Sequence, residues 1–443
     1  MNGVFLALIS IAFAMAAFHQ LFGPPIGADG VEPMQALSLA AIDSAEGAVE
    51  LALKLIGVMA LFLGLMKVAE KGGLLAILAR LIRPLMTRLF PEVPPDHPAM
   101  GAMIMNMAAN ALGLGNAATP FGIRAMQALD SLNPHKGTAT NSMALFLAIN
   151  TSSVTLLPTG VIALRAAAGS SDPASVLPTT LFATICSTAA AIFAAFAYQR
   201  FFPKPPPDPD FMEDDAFVAE SEKQAYDAMD LDPTARHAAA AAQTGYPTWV
   251  SAAFLLLIVA FIPLAIVYGQ IISPWVIPVL IVGMLGFGAS RGVKVYEAFV
   301  EGAREGFDVA VRIIPYLVAI LAAVGMFRAS GAMDLLIGAL SPITSLFGLP
   351  AEALPMALLR PLSGSGAYGV MAEILHNPAI GPDSYVGILV STLQGSTETT
   401  FYVLAVYFGA VRIRRARHAL AAALTADLVG IISAVVICSM LFN

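Results

Sequence analysis

"AINTSSVTLLPTGVIAL" (148–164) and "TLQGSTETTFYVLAVYF" (392–408) are two apolar stretches, each interrupted by a run of hydroxyl and amide side chains. Setting Thr151 against Ser396 pairs Ser152 with Thr397, Ser153 with Glu398 and Thr155 with Thr400. Similar features precede both: an apolar helix with a Gly- and Ala-rich stretch (51–82 and 313–340), a turn containing Pro, and a Gly-rich broken segment. Those broken segments read "MNMAANALGLGNAATP" (105–120) and "LLRPLSGSGAYGVM" (358–371). The sequence is therefore an internal duplication.

Of the 443 residues, 58% are hydrophobic and 12% charged, about half the charged fraction of a soluble domain. Apolar runs at 3–18, 51–66, 142–163, 177–198, 249–267, 274–289, 313–327 and 419–441 are long enough, some with flanking residues, for helices that cross a bilayer. The expected fold is an all-α integral membrane protein. No positive charge precedes the first run and no small-residue cleavage pattern follows it, so it reads as a retained helix. Cys186 and Cys438 lie in apolar runs without metal-ligand spacing and read as packing residues.

The net charge of −7 is concentrated between 203 and 247, where ten acids face Lys204, Lys223 and Arg236. That stretch opens with "PKPPPDPD" and has the composition of a polar linker. Three regions result: a first membrane half (1–202), an acidic Pro-rich cytoplasmic linker (203–247) and a second membrane half (248–443). Arg200 and Lys204, then Arg291, Lys294, Arg304 and Arg312, lie on either side of a two-helix hairpin and mark the cytoplasmic side. The stretch 19–50 carries acids without Lys or Arg and reads as external, so the helix from Leu51 runs inward to Lys67, Lys71, Arg80, Arg83 and Arg88. Its counterpart leaves from Arg312, and the two repeats run in opposite directions.

"NMAANALGLGNAATPFGIRAM" (106–126) resembles the signature of spore maturation protein A. "RPLSGSGAYGVMAEILHN" (360–377) and "STLQGSTETTFYVLAVYFGAVRIRRARHAL" (391–420) resemble that of spore maturation protein B. The chain resembles a fusion of the two, in the nucleoside-recognition or Gate domain group related to concentrative nucleoside transporters and to the membrane part of ferrous iron transporter B. The resemblance implies two inverted Gate-type repeats with about nine transmembrane helices plus two re-entrant hairpins. No G-x-x-x-x-G-K-[ST] occurs, so nucleotide coupling of the iron-transporter kind is not expected.

Glycines at 113, 115, 364, 366 and 369 let the backbone turn at membrane depth, which is tolerated where protein or a water-filled cavity satisfies the freed amides. The half-helices beyond such breaks aim N–H groups at whatever fills them. Candidate substrate-binding residues are Asn110, Asn116, Thr119, Asn150, Ser152 and Ser153 in the first half, and Ser363, Ser365, Gln394, Ser396, Thr397, Glu398 and Thr399 in the second. Glycines and hydroxyls also serve plain helix packing. Glu398 stands apart, because a carboxylate at membrane depth is costly unless protonated, paired or solvated. The expected placement is a polar cavity, with the hydroxyls of Ser396, Thr397 and Thr399 and the helix ends near Asn116 and Ser365 compensating it; Arg360 is the rival partner, or a partner of an anionic solute, or a residue that snorkels to the interface.

No nucleophile, base and acid are set together and no metal spacing appears, so the expectation is not an enzyme, with no cofactor and no metal. The expected function is a transporter of a small polar solute, nucleoside-like or another metabolite, in the cell inner membrane. Expected partners are that solute, Na+ or H+ as candidate coupling ion, the lipid bilayer and no nucleic acid, with homo-oligomers compatible. The alternative is a non-transporting structural or accessory envelope protein of the spore maturation type.

Overall fold

A computed structural model describes residues 2–23, 31–113, 115–202, 245–344 and 348–442, with no side-chain description at positions that include Asn116 and Arg312. Most of the linker therefore lies outside the described residues. Among those described, the secondary structure is helical and no β-strand is present. The first half comprises α1 (Asn2–Phe22), α2 (Pro33–Lys71), α3 (Leu74–Leu89), α4 (Pro98–Ala111), α5 (Gly115–Ser131), α6 (Asn141–Thr151), α7 (Thr159–Ala167) and α8 (Leu177–Tyr198). The second comprises α9 (Thr248–Ser290), α10 (Val295–Ala329), α11 (Ala332–Thr344), α12 (Leu354–Leu359), α13 (Gly364–His376), α14 (Tyr385–Ser396), α15 (Thr400–Gly409) and α16 (Ala419–Phe442).

The order of long and short helices runs twice. α2 to α8 measure 39, 16, 14, 17, 11, 9 and 22 residues, and α10 to α16 measure 35, 13, 6, 13, 12, 10 and 24. Among the described residues, four helices are by length and composition apolar enough to cross a membrane: α1, α2, α8 and α16. Shorter apolar stretches lie at Thr248–Leu264, Trp275–Ser290 and Leu317–Ala329. α9 is kinked at Tyr268, where φ is −116° and ψ 15°. Neither α6 nor α7 is long enough to cross alone, but end to end the pair carries about twenty helical residues, as does the α14–α15 pair.

α2 and α10 form the spine that joins the halves. They pack antiparallel, since Gly64 meets Phe299, Leu63 meets Gly302, Ala60 meets Gly306 and Ser44 meets Gly325. Glycine lets the two backbones come close, which in a membrane replaces hydrophobic driving force by packing. At one end of this spine Lys67 pairs with Glu305 at 3.1 Å and Lys71 with Glu301 at 2.5 Å. α3 buries Leu75, Leu78, Ala79 and Met86 and leaves Arg83 and Arg88 off that face, as an amphipathic helix should. Cys186 and Cys438 are both free, the latter buried and donating to Thr392 Oγ1 at 3.4 Å.

Candidate functional site

The discontinuous helices position the site. α6 stops at Thr151 and the chain stays non-helical until Thr159; α14 stops at Ser396 and resumes at Thr400. These two breaks meet, with the Glu398 N–H donating to the Thr151 carbonyl at 2.7 Å. A peptide amide freed at membrane depth must find such a partner. Each break is also tied to the hairpin tip of its own half. Leu156 N–H donates to the Ala111 carbonyl at 2.9 Å, and Phe401 N–H to the Pro361 carbonyl at 3.1 Å. Glycine is required at both tips: Gly113 has φ +75° and a Cβ there would lie 2.4 Å from the Leu157 carbonyl oxygen, while a Cβ on Gly364 would lie 2.7 Å from Thr399 Oγ1.

Arg360, at the end of α12, sits at the crossing and is only 6% exposed, so it does not snorkel. Its Nη1 donates to Thr399 Oγ1 at 3.2 Å, its Nη2 donates to the Thr397 carbonyl, and its Nε has no partner. Glu398 lies 3.6 Å from Nη2, and its side chain is 52% exposed. The expected compensation by hydroxyls is thus corrected. Ser396 donates back to the Leu393 carbonyl at 3.0 Å and Thr399 accepts from the guanidinium, so the opposite charge beside Glu398 is Arg360.

The structure brings Thr397, Glu398, Thr399 and Ser363 together around Arg360 and Gly364. Ser363 caps α13 by accepting from the Gly366 N–H at 3.0 Å, and Ser365, exposed, lies with its Oγ 3.4 Å from that of Ser363. A separate cluster gathers the amides. Asn110 donates to Asn150 Oδ1 at 3.0 Å, Tyr407 donates to the same oxygen at 3.4 Å, and Asn106 donates to Tyr407 Oη at 3.1 Å. Ser152 is fully buried and donates to the Ala148 carbonyl at 2.9 Å. Ser153, the counterpart of Glu398, lines an otherwise largely apolar cavity of about 290 Å³ with Met107, Ile149, Thr188 and Phe254. Gln394 is half-buried with Oε1 unpartnered, and Thr119 is half-buried and partnered. The side chain of Asn116 lies outside the described residues.

Asp427 is the acid that sequence reading passed over. It lies on α16, 3% exposed, and accepts from Thr400 Oγ1 at 2.6 Å at the first residue of α15. The signal was present: "AAALTADLVGII" (421–432) holds one acid in an apolar run, the feature that singled out Glu398. Two arginines outside the crossing fasten loops. Arg165, fully buried, donates to the Pro382 carbonyl at 2.6 Å, to Ser170, to Ser175 and to Asp383 at 3.1 Å. Burial pushes the Asp383 carboxyl up, but hydrogen bonds from Ser170 and Ser171 and the charge of Arg165 outweigh it and hold it below its usual value. Arg417 donates to the carbonyls of Ala139 and Phe202 and to Asn141 Oδ1. It therefore ties the 139–141 segment and the end of the first half to the start of α16.

The family profile described as Nucleoside recognition (Gate) matches residues 52–168 and 310–414, half of the chain. Spore maturation protein B of Bacillus subtilis (strain 168) is 47% identical over 167 residues, covering 38% of this chain and 93% of that protein. Spore maturation protein A of the same organism is 45% identical over 169 residues, 38% of this chain and 86% of that protein. Inner membrane protein YjiG of Escherichia coli (strain K12) is 32% identical over 105 residues, 23% of this chain and 69% of that protein. The profile covers both discontinuous helices, both hairpin tips and the Thr151–Glu398 junction, and the chain is a multi-pass membrane protein that belongs to the nucleoside-recognition, or Gate, family.

Proposed function

We propose that the protein is a transporter of a small polar solute, with its site where the breaks between α6 and α7 and between α14 and α15 meet. The observation that carries this reading is the hydrogen bond from Glu398 N–H to the Thr151 carbonyl, which joins two interrupted helices from different halves. Interrupted helices at corresponding places in two repeats are how many secondary transporters build a site that both sides of the membrane can reach in turn. The antiparallel pairing of α2 with α10 and the placement of Lys and Arg support an inverted arrangement of the halves. The family's description favours a nucleoside-like or other metabolite solute, with Na+ or H+ as candidate coupling ion. The name of the E. coli relative favours the inner membrane.

The test is uptake of labelled nucleosides and pooled metabolites into proteoliposomes, with Glu398→Gln beside wild type. The variant keeps shape and should keep expression and thermal stability while losing flux. The names of the Bacillus relatives favour a second reading, a structural or accessory role in the envelope without transport. Unchanged cellular function in Glu398→Gln, with no flux of any solute in wild type, would establish that reading instead.

A further inference from the structure

We propose that the solute taken at this crossing is a zwitterion, a small molecule bearing both a carboxylate and an ammonium group, with Arg360 receiving the carboxylate and Glu398 the ammonium. This deepens the transport reading and rests on it for movement across the membrane, whereas binding can be measured apart.

Three observations converge. A guanidinium carries five N–H donors in a planar fork suited to a carboxylate. Two donors of Arg360 are engaged, one by Thr399 Oγ1 and one by the Thr397 carbonyl, and Nε is buried without a partner. Arg165 also has a buried Nε without a partner, but its two Nη atoms reach six acceptors in the surrounding loops and on α14, as a structural clamp does, against two for Arg360. Second, Arg360 abuts the start of α13: a Cβ on Gly364 would stand 3.6 Å from Nη1 and 2.7 Å from Thr399 Oγ1, so an anionic group that displaced the Thr399 hydroxyl would meet the guanidinium and the positive end of the helix together.

Third, Glu398 lies 3.6 Å from Nη2, outside direct hydrogen-bonding distance, and half its side chain is exposed. It balances the charge of Arg360 without occupying its donors. Its backbone is pinned on Thr151. Asp427, the other acid at this level, is held by Thr400 at the positive end of α15. A solute with one carboxylate would leave the Arg360–Glu398 site with an excess negative charge, and one with a single ammonium an excess positive charge, each costly at membrane depth. A zwitterion exchanges one loose ion pair for two close ones and leaves the charge balanced. A neutral nucleoside could accept from the spare guanidinium donors but would bring neither a carboxylate to Arg360 nor a cation to Glu398.

The experiment is a thermal-shift titration of the purified full chain in lipid nanodiscs with L-amino acids, the matching carboxylic acids and amines that lack one charge, and uridine. An amino acid should raise Tm, and its singly charged analogues should bind roughly ten- to a hundredfold more weakly, the range expected for losing a charge-assisted pair. In Glu398→Gln, the unliganded Tm should stay near wild type while the preference for the amino acid over its carboxylic acid disappears. Arg360→Lys should weaken both carboxylate-bearing ligands, and because this buried residue also holds Thr397 and Thr399, Glu398→Gln decides the matter if that variant does not fold. Stabilisation by uridine alone, by nothing in the panel, or by amino acids equally in wild type and Glu398→Gln would overturn the proposal. Amino-acid binding without flux in proteoliposomes would uphold it and overturn transport; uridine flux without amino-acid binding would do the reverse.

Discussion

Replacing Gly306 by Ala adds one methyl group where the backbones of α2 and α10 lie close together. Its Cβ would fall 2.7 Å from Ala60 Cα and 2.8 Å from both Ala60 N and the Met59 carbonyl oxygen, all backbone atoms that cannot turn aside. An ordinary contact needs about 3.5 Å or more, so the helices must part by most of an ångström. The same seam holds Gly302, whose Cβ would meet the Leu63 carbonyl oxygen at 2.4 Å, and Gly64, whose Cβ would meet Phe299 at 2.8 Å. Parting at one point loosens its neighbours, which places the cost near the upper part of the overpacking range, about 2–3 kcal/mol. Thermal unfolding in detergent measures it. Gly286→Ala in α9 is the control, since nothing lies within 4 Å of that Cβ, and it should be neutral or slightly stabilising. Once Gly306→Ala has opened the seam, adding Gly302→Ala should cost less than it does alone. A Gly306→Ala protein within about 0.5 kcal/mol of wild type would refute the reading of this seam as close-packed.

Other outcomes follow from single contacts. Asn150→Ala removes the acceptor shared by Asn110 and Tyr407 and should cost about 2–3 kcal/mol by unfolding, more than Ser153→Ala at the matching break. Asp383→Asn leaves fully buried Arg165 without its carboxylate and should cost about 2 kcal/mol, discounted for the partial exposure of Asp383; because the Asp383 carboxyl is held below its usual value, the stabilisation is present above the unfolded value and fades as pH falls through the folded one. His418, beside the start of α16, is pushed down to about 4 by burial and then by the charge of Arg417, so the unfolded chain takes up the proton first. Its contribution is intact above pH 6.5 and lost on acidification towards pH 4, by up to about 3 kcal/mol; since both ring nitrogens lack partners, His418→Leu should abolish that acid sensitivity at no cost near neutrality. In a background without Cys186 and Cys438, a cysteine at Glu32 should react with an impermeant thiol reagent from outside and one at Arg291 should not; labelling of both from one side would exclude the inverted arrangement.

What was legible in the sequence is what leaves a local trace. Apolar length marked the long helices, and hydroxyl runs with Gly marked both breaks, because an interrupted membrane helix needs turn-capable and polar residues in one short stretch. Pairing Thr151 with Ser396 placed the two breaks in register, and the structure has Thr151 bonded to Glu398, two positions on. Contacts between distant segments left no such trace. Whether Arg360 is buried or snorkels depends on the break at Thr397–Thr399 and the start of α13 lying against it, which no spacing near residue 360 encodes. Asp427 was visible as a lone acid but meaningless until Thr400 stood against it. The Gly302–Gly306 spacing announces close helix packing, yet only the fold says that the partner is α2, some 240 residues away.

That seam bears on how such a protein is made. Each half holds one side of a glycine-lined joint, in which Phe299 and Gly306 of the second half cover the face of α2. Two separate polypeptides would have to be synthesised in equal amounts and find each other in the bilayer before either was complete. Fusion sets the ratio at one to one and makes the search intramolecular. Co-expressed fragments ending and beginning between 203 and 244 would still recognise each other through this joint, while either alone would expose a surface for quality-control proteases to remove.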